Sequence, residues 1–482
     1  MWASLPYLEA AEYVKQELGT GEENGSNHRY AVFDALSGVT DKMKRQFIFD
    51  LSPKLLYGAG PTIDMLLGSG AHWYTEFKLV EGRYIWDDAR ASFVPIAASK
   101  AEIFKDSSLS LPQKYALMRI LKSILGKTSD SDYPPEATIS NILEEAGCEQ
   151  SLRDRFLRGI MMTELKDLRL SEARVLVDLY VKSCGRYGPE SSPFLYPMHG
   201  CGELPQAFCR TAAVHGTVQC LRCKVGELRK RSTRWELGLE NGQTLFAKHV
   251  ATSPDGLMKI LRPEPSNDSD DIINPEDKRT IIRACIVVRG KAFPNEDHCF
   301  AVMPRHSIHG STVWAMQLNH STSHSPHGYS ILHAWAALSS SQNDVSSIDC
   351  VEELQPALCR LVDMSDIGGS TLVREGKRDA KGVYGLYFAH SVLNDDNLNW
   401  SKQERDGMDV TLCKDPGSEP TYRDCSQNAR ACYAQIFREQ KTEKSTFPLD
   451  MKPSIGNEES DILMKSTDSD EEMLASLEAA LD

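Results

Sequence analysis

No stretch of this 482-residue chain approaches the roughly 20 uninterrupted apolar residues that a membrane-spanning helix needs. The opening MWASLPYLEAAEYVK has no basic segment followed by an apolar one, so the pattern of a secretory signal is missing too. A soluble protein of the cytosol is the expectation. Basic charge is in deficit: 54 Lys and Arg stand against 68 Asp and Glu, a formal charge of −14. A nucleic-acid binder usually carries a basic stripe, so that class is disfavoured. No G-x-S-x-G and no H-E-x-x-H occurs, the histidines are dispersed, and no catalytic constellation stands out. The 13 cysteines are odd in number and scattered, which fits reduced thiols rather than a disulfide framework. Cys220 and Cys223 form a C-x-x-C pair, but a structural zinc needs a second pair at similar spacing, so no metal is expected. Cys201 and Cys209 read as small buried thiols. A full dinucleotide fingerprint is also missing: YGAGPT (57–62) offers one Gly-x-Gly followed by proline, which reads as a plain turn.

What is present is a β-rich body interrupted by helices. SLPYLEAAEYVKQEL reads as a helix. RQFIFDLSPKLL (45–56), WYTEFKLVEGRYIW (73–86) and ASFVPIAAS (91–99) alternate and favour β-branched and aromatic residues, so they read as strands. PTIDMLLGSG between them reads as a short helix ended by glycine. From about residue 100 the period changes. LPQKYALMRILKSIL (111–125) places Tyr115, Met118, Leu121, Ile124 and Leu125 on one helical face. SLRDRFLRGIMMTEL (151–165) and SEARVLVDLYVKSC (171–184) behave alike. Strand patterns resume with a meander over 224–253, turned by Asn-Gly, and continue through TIIRACIVVRGK, STVWAMQLNH and YSILHAWAAL. The division expected is a discontinuous β-rich unit, 1–99 with 185–445, a helical unit over 100–184, and an acidic, disordered tail over 446–482.

FLYPMHGCGELPQAFCR (194–210) is dense in aromatics, prolines and glycines. Gly200 and Gly202 permit a tight turn, and Pro205 suits the first turn of a helix. Glu203 sits where the helix dipole favours a carboxylate. Gln206 and Arg210 share a face, while Phe208 and Ala212 form another, expected to be buried. The spacing describes a pinned helix displaying Glu203, Gln206 and Arg210. Arginine gives directional hydrogen bonds and is enriched at protein interfaces. A helix cap with a solvated Gln and Arg is the blander alternative.

The longer run SCGRYGPESSPFLYPMHGCGELPQAFCRTAAVHG resembles the signature block of the GDP dissociation inhibitor and Rab escort protein family. FDLSPKLLYGAGPTIDMLLGSGAHWYTEFKLVEG is similar to that family's first-domain strand–helix–strand block. VPIAASKAEIFKDSSLSLPQKYALMRILK, GVYGLYF and CSQNARACYAQIF resemble the escort branch. The resemblance spans most of residues 2 to 440 and is weakest over 255–375. It implies an α+β or α/β fold: a large β-rich domain of the inhibitor type, related to FAD-linked monooxygenase folds, with a small helical domain inserted. It implies no catalysis and no cofactor. The implied partners are Rab GTPases in their GDP form, the Rab geranylgeranyl transferase heterodimer, the attached geranylgeranyl lipid and, transiently, a membrane.

Residue by residue, the resemblance puts the Rab-binding platform at Glu203, Gln206 and Arg210, with Arg186. It puts the grip on the Rab tail at Val94, Ile96, Ile103 and Phe104. Met118, Leu121, Ile160 and Met161 would line a lipid groove, where methionine adapts to an irregular ligand, and ordinary helix packing is the competing account. Phe156 would face the transferase. Two departures stand out. The family's usual opening strand, Gly-x-Gly turn and Tyr-Tyr-Gly-Gly run do not precede Trp2-Ala3-Ser4, which would leave neighbouring sheet edges exposed. In VHGTVQCL, Val218 stands where the family has a threonine that helps contact the Rab. The alternatives to an escort protein are a GDP dissociation inhibitor that recycles lipidated Rabs and a flavin-dependent oxidoreductase on the related fold.

Overall fold

A computed structural model of the chain describes residues 4–18, 30–36, 39–97, 99–125, 133–134, 136–165, 168–188, 191–221, 223–231, 234–261, 278–338, 350–367, 380–393, 410–414 and 417–437. The acidic segment 446–482 lies outside the described residues.

The first correction falls on SLPYLEAAEYVKQEL, which is not helical throughout. Ser4–Pro6 is a short strand, antiparallel to Ile48–Asp50, and the helix runs only from Tyr7 to Leu18. Pro6 disfavours a helical Leu5 before it, which delays the start.

The centre of the fold is an eight-stranded mixed sheet. Its strands lie in the order Tyr30–Asp34, Lys381–Leu393, Lys278–Arg289, Tyr329–Ala337, Val313–Asn319, Cys299–Met303, Gly82–Asp87, Ser92–Pro95. Neighbours run antiparallel except Cys299–Met303, which is parallel to Gly82–Asp87. The central strands are covered on both faces, so they read as nearly continuous apolar runs. One face carries Phe300, Val302, Trp314, Met316, Leu318 and Trp335 into a core shared with the helices of residues 100–183. The other carries Ala301, Met303, Val313 and Ala315 beneath the helix Cys350–Leu361. A third cluster joins Tyr7, Ala10 and Val14 of the first helix to Cys285, Val287 and Phe388 of the sheet. A smaller sheet of Leu56–Tyr57, Phe194–Pro197 and Phe77–Leu79 flanks this framework. The meander is a separate three-stranded sheet whose Asn241-Gly242 turn puts Gly242 at φ 82°.

Every described element between Lys100 and Ser183 is helical. Starts are marked by capping side chains: Ser99 Oγ accepts from the Glu102 N–H, and Thr138 Oγ1 from the Asn141 N–H. The stretch read as one helix over 151–165 is instead Gln150–Asp154 followed by a π-helical turn, Arg155–Ile160. Gly159 lies so close to Ile96 that a Cβ there would meet its side chain at 3.1 Å. Ion pairs fix this turn to its surroundings: Arg155 to Asp106 at 2.8 Å and Arg305 to Asp154 at 2.9 Å, while Arg158 Nε donates to Thr312 at 2.9 Å.

Candidate functional site

The fully buried strand Phe194–Pro197 delivers the chain to a turn, and the turn launches the helix Glu203–Val214. Asp50, 1% exposed, organises that turn. Its Oδ1 accepts from the Cys201 N–H at 3.0 Å and from the Ser4 hydroxyl, and its Oδ2 accepts from the Tyr196 hydroxyl and lies 3.3 Å from His324 Nε2. Ser4 Oγ in turn accepts from the Gly202 N–H at 2.8 Å. Burial opposes ionisation of Asp50, but hydrogen bonds from His324 and Ser4 outweigh it and hold the carboxyl down to about 2. Gly200 is required twice over. Its φ is 94°, and an added Cβ would lie 2.4 Å from Ser4 Oγ.

Beyond the turn, Gln206 and Arg210 are exposed side by side, and Glu203 is half-buried at the helix start. Burial raises the Glu203 carboxyl above its ordinary range, opposed by the His199 N–H, which donates to its Oε2 at 3.5 Å. The Arg210 guanidinium lies over the Tyr74 ring, 4.6 Å from the centroid, a geometry that holds the cation in one place. The helix therefore faces the short 3-10 turn Ala71–Tyr74, whose Trp73 is 80% exposed. Beside that turn opens an apolar cavity of about 510 Å³, walled by Ile63, Leu66, His72, Phe77, Leu195 and Tyr187. The face expected to be buried is corrected: Leu204 and Ala207 are its buried residues, with Phe208 partly buried beside them and Ala212 only half-covered. Cys209 is exposed, not a buried thiol, because it shares the outer side with Gln206. Val218 is 84% exposed just past the helix. Arg186 is exposed on a separate loop and joins the others only indirectly, through its neighbour Tyr187 in the cavity wall.

The remaining residues read from the sequence lie elsewhere. Val94, Ile96 and Ile103 are buried in the main core, and Phe104 is half-buried against Tyr115, with ring centroids 5.7 Å apart. Ile96 also borders a cavity of about 250 Å³ with Arg83, Ala97, Glu102, Lys105 and Asp106. Met118, Leu121, Ile160 and Met161 all belong to the same buried core and are closed to solvent. Phe156 is wholly enclosed within the π-helical turn. As the chain stands it offers no surface, and a transferase contact by Phe156 is corrected on that ground. Asp50, Tyr74, Trp73 and the apolar cavity were missed. The aromatic run His72-Trp73-Tyr74 was the available signal for the last three.

The Gly-x-Gly turn within YGAGPT (57–62) gives a physical test of a flavin site. It lies between the strand Leu56–Tyr57 and the helix Pro61–Ser69, but its amides are committed to protein. Gly58 N–H donates to the Pro193 carbonyl at 2.8 Å and Ala59 N–H to Ser183 Oγ at 3.1 Å. Leu179 crowds Gly60, where a Cβ would meet it at 2.5 Å. A pyrophosphate does not fit these residues.

Residues 28–264 match the family described as GDP dissociation inhibitor. Rab escort protein 1 of Arabidopsis thaliana is 26% identical over 316 residues, covering 58% of this chain and 56% of that protein. The Drosophila melanogaster Rab proteins geranylgeranyltransferase component A is 31% identical over 221 residues, covering 44% of this chain and 41% of its own. The probable secretory pathway GDP dissociation inhibitor 1 of Schizosaccharomyces pombe is 28% identical over 229 residues, 45% and 51% of the two chains. The chain thus spans about half the length of the curated relatives it matches. Among solved structures, Rab GDI of Plasmodium falciparum superposes with a TM-score of 0.61 at 15% identity, covering 87% of this chain and 91% of its own. An oxidoreductase from Methanosarcina mazei reaches 0.50 at 10% identity, covering 83% and 91%. Both likenesses concern the fold alone. The architecture is of the GDP dissociation inhibitor type, mixed α/β around a large mixed sheet. Over residues 28–264 the chain is similar to the GDP dissociation inhibitor family, and the relatives it matches carry escort-protein and inhibitor names. Among the described residues no helix is long and apolar enough to cross a membrane.

Proposed function

We propose that this chain is a Rab escort protein. It binds a GDP-form Rab GTPase through Glu203, Gln206 and Arg210, with Arg186 at the margin, presents it to Rab geranylgeranyl transferase and delivers the lipidated Rab to membrane, without bond chemistry of its own. The observation that carries this reading is the pinned turn. A helix held through Asp50 displays Gln206 and Arg210 to solvent, with Arg210 fixed over Tyr74 beside an apolar cavity. An arginine anchor next to apolar area is the composition of a protein-binding surface. Relatives named as escort proteins or component A support the escort branch. The tail of the Rab would run past Val94, Ile96, Ile103 and Phe104, of which Ile96 borders the smaller cavity. The lipid would enter among Met118, Leu121, Ile160 and Met161, which requires the helices there to part; burying isoprenoid area at about 25 cal/mol per Å² would offset part of that opening.

A recycling inhibitor is the second reading, favoured by the fission-yeast relative at comparable identity. One experiment separates the two. Purified GDP-form Rab, the transferase and labelled lipid donor are mixed with and without this chain and with an Arg210→Glu variant. Lipid incorporation that needs the chain and fails with the variant supports the escort reading. No incorporation, together with extraction of lipidated Rab from membranes, establishes the inhibitor instead.

A further inference from the structure

Arg283 occupies the middle of the strand Lys278–Arg289 and is 3% exposed. Among the described residues, no hydrogen-bond partner reaches its Nε or Nη1, and no carboxylate pairs with it. The contrast with the other buried arginines is sharp, since Arg155 and Arg158 each hold an aspartate. The strand register explains what surrounds Arg283. It lies opposite Trp335 on one neighbouring strand and Phe388 on the other, so His333 and His390 are its diagonal neighbours on the same face. His333 is 1% exposed with both ring nitrogens unpartnered, and His390 Nδ1 is unpartnered as well. Lys54 is close enough to feel the charge of Arg283, and its Nζ is bonded to the carbonyls of Gly417 and Glu419 rather than to a carboxylate.

These groups form a polar island at the seam of two apolar clusters: Trp335 belongs to one and Cys285 to the other. Burial pushes Arg283 down to about 10 and His333 down to about 3. A guanidinium so enclosed is costly unless paired, and hydrogen-bond donors left unmade add to that cost. Each neutral imidazole can donate one N–H, the arginine donates from two nitrogens, and among the described residues none of these nitrogens makes a hydrogen bond, although the Asp50 carboxylate lies near enough to act on His333. The missing complement is a compact group of negative charge with several acceptor oxygens.

We propose that Arg283, His333 and His390 hold a small inorganic oxyanion of the phosphate or sulfate class inside the fold. The site adjoins the platform. Cys285, two residues along the same face, places its Sγ 3.9 Å from the Asp50 carbonyl, and Asp50 positions Cys201 at the head of the platform helix. This site does not depend on the escort reading and survives its failure.

The test uses the full chain, unfolded and refolded in anion-poor buffer, with thermal unfolding followed at constant ionic strength. Phosphate and sulfate are expected to raise the Tm in proportion to the logarithm of their concentration, while chloride leaves it unchanged. Arg283→Met is expected to abolish the response and to raise the Tm in anion-free buffer, because the unpaired charge is gone. His333→Phe, a second variant should the first not fold, is expected to weaken the apparent affinity about tenfold through one lost hydrogen bond. A wild-type Tm that ignores phosphate and sulfate overturns the proposal, as does an equal rise with chloride or an undiminished response in Arg283→Met.

Discussion

The helices Glu203–Val214 and Leu111–Ile124 are both amphipathic and similar in length, yet they meet solvent in opposite ways. Leu111–Ile124 sinks five side chains, Leu117, Met118, Ile120, Leu121 and Ile124, into the core. Glu203–Val214 sinks only Leu204 and Ala207 and leaves Gln206 and Arg210 outside. The first is held by area removed from water, the second by hydrogen bonds at its N-terminal turn. A helix anchored at one end keeps its outer face free for another molecule, whereas a helix anchored along its length commits most of its apolar side chains to the core. Display and stability are therefore carried by different residues, and substitutions can separate them.

The largest effect is expected inside the helical region. Phe156→Ala removes a fully enclosed ring and should cost about 3–5 kcal/mol in urea unfolding. A drop in partner binding without that loss would place Phe156 on a surface after all. Asp50→Ala strips acceptors from the buried Cys201 N–H and from Tyr196 and His324, a loss of about 3 kcal/mol by the same measurement. Unlike Phe156→Ala, it should also blur the platform, read as weakened capture of a GDP-form Rab by the refolded protein. Gly200→Ala forces a Cβ against Ser4 and a residue with a side chain to φ 94°, costing about 2 kcal/mol.

Acid provides a fourth handle. An unfolded Asp titrates near 3.9 and folded Asp50 at about 2, so its stabilisation is complete above pH ~4 and is lost as pH falls towards 2. Its size is about 2.5 kcal/mol, and the slope of unfolding free energy over that window should flatten in Asp50→Asn. The smallest effect on stability belongs to Arg210→Glu, expected within about 0.5 kcal/mol of the parent because the side chain is exposed. Rab capture should nevertheless be lost. Loss of both together would mean that the cation over Tyr74 helps hold the helix as well as display it.

Legibility followed the range of the forces. The strands Val313–Asn319 and Tyr329–Ala337, the Asn241-Gly242 turn and the glycine-stopped helix Pro61–Ser69 were readable because β-branched runs, φ > 0 turns and helix caps act within a few residues. The shared face of Gln206 and Arg210 was readable for the same reason. Asp50 was not, since its partners Ser4, Tyr196, Cys201 and His324 lie 46, 146, 151 and 274 positions away. Leu204 over Ala212 as the buried side depends on what the smaller sheet and the 3-10 turn present to the helix. The π-helical turn sets Gly159 where an added Cβ would crowd Ile96, a neighbour from a distant part of the chain.

The one parallel pairing in the large sheet, Gly82–Asp87 with Cys299–Met303, bears on how the chain comes to be folded at all. Gly82 and Cys299 are 299 − 82 = 217 residues apart. A ribosome must therefore release most of the polypeptide before that seam can zip shut. Until then the hairpin Gly82–Asp87 and Ser92–Pro95 waits with an open border, while the local helices after it can already form. During that interval the nascent protein is at its stickiest, and a chaperone that shields the open border gains most by acting there.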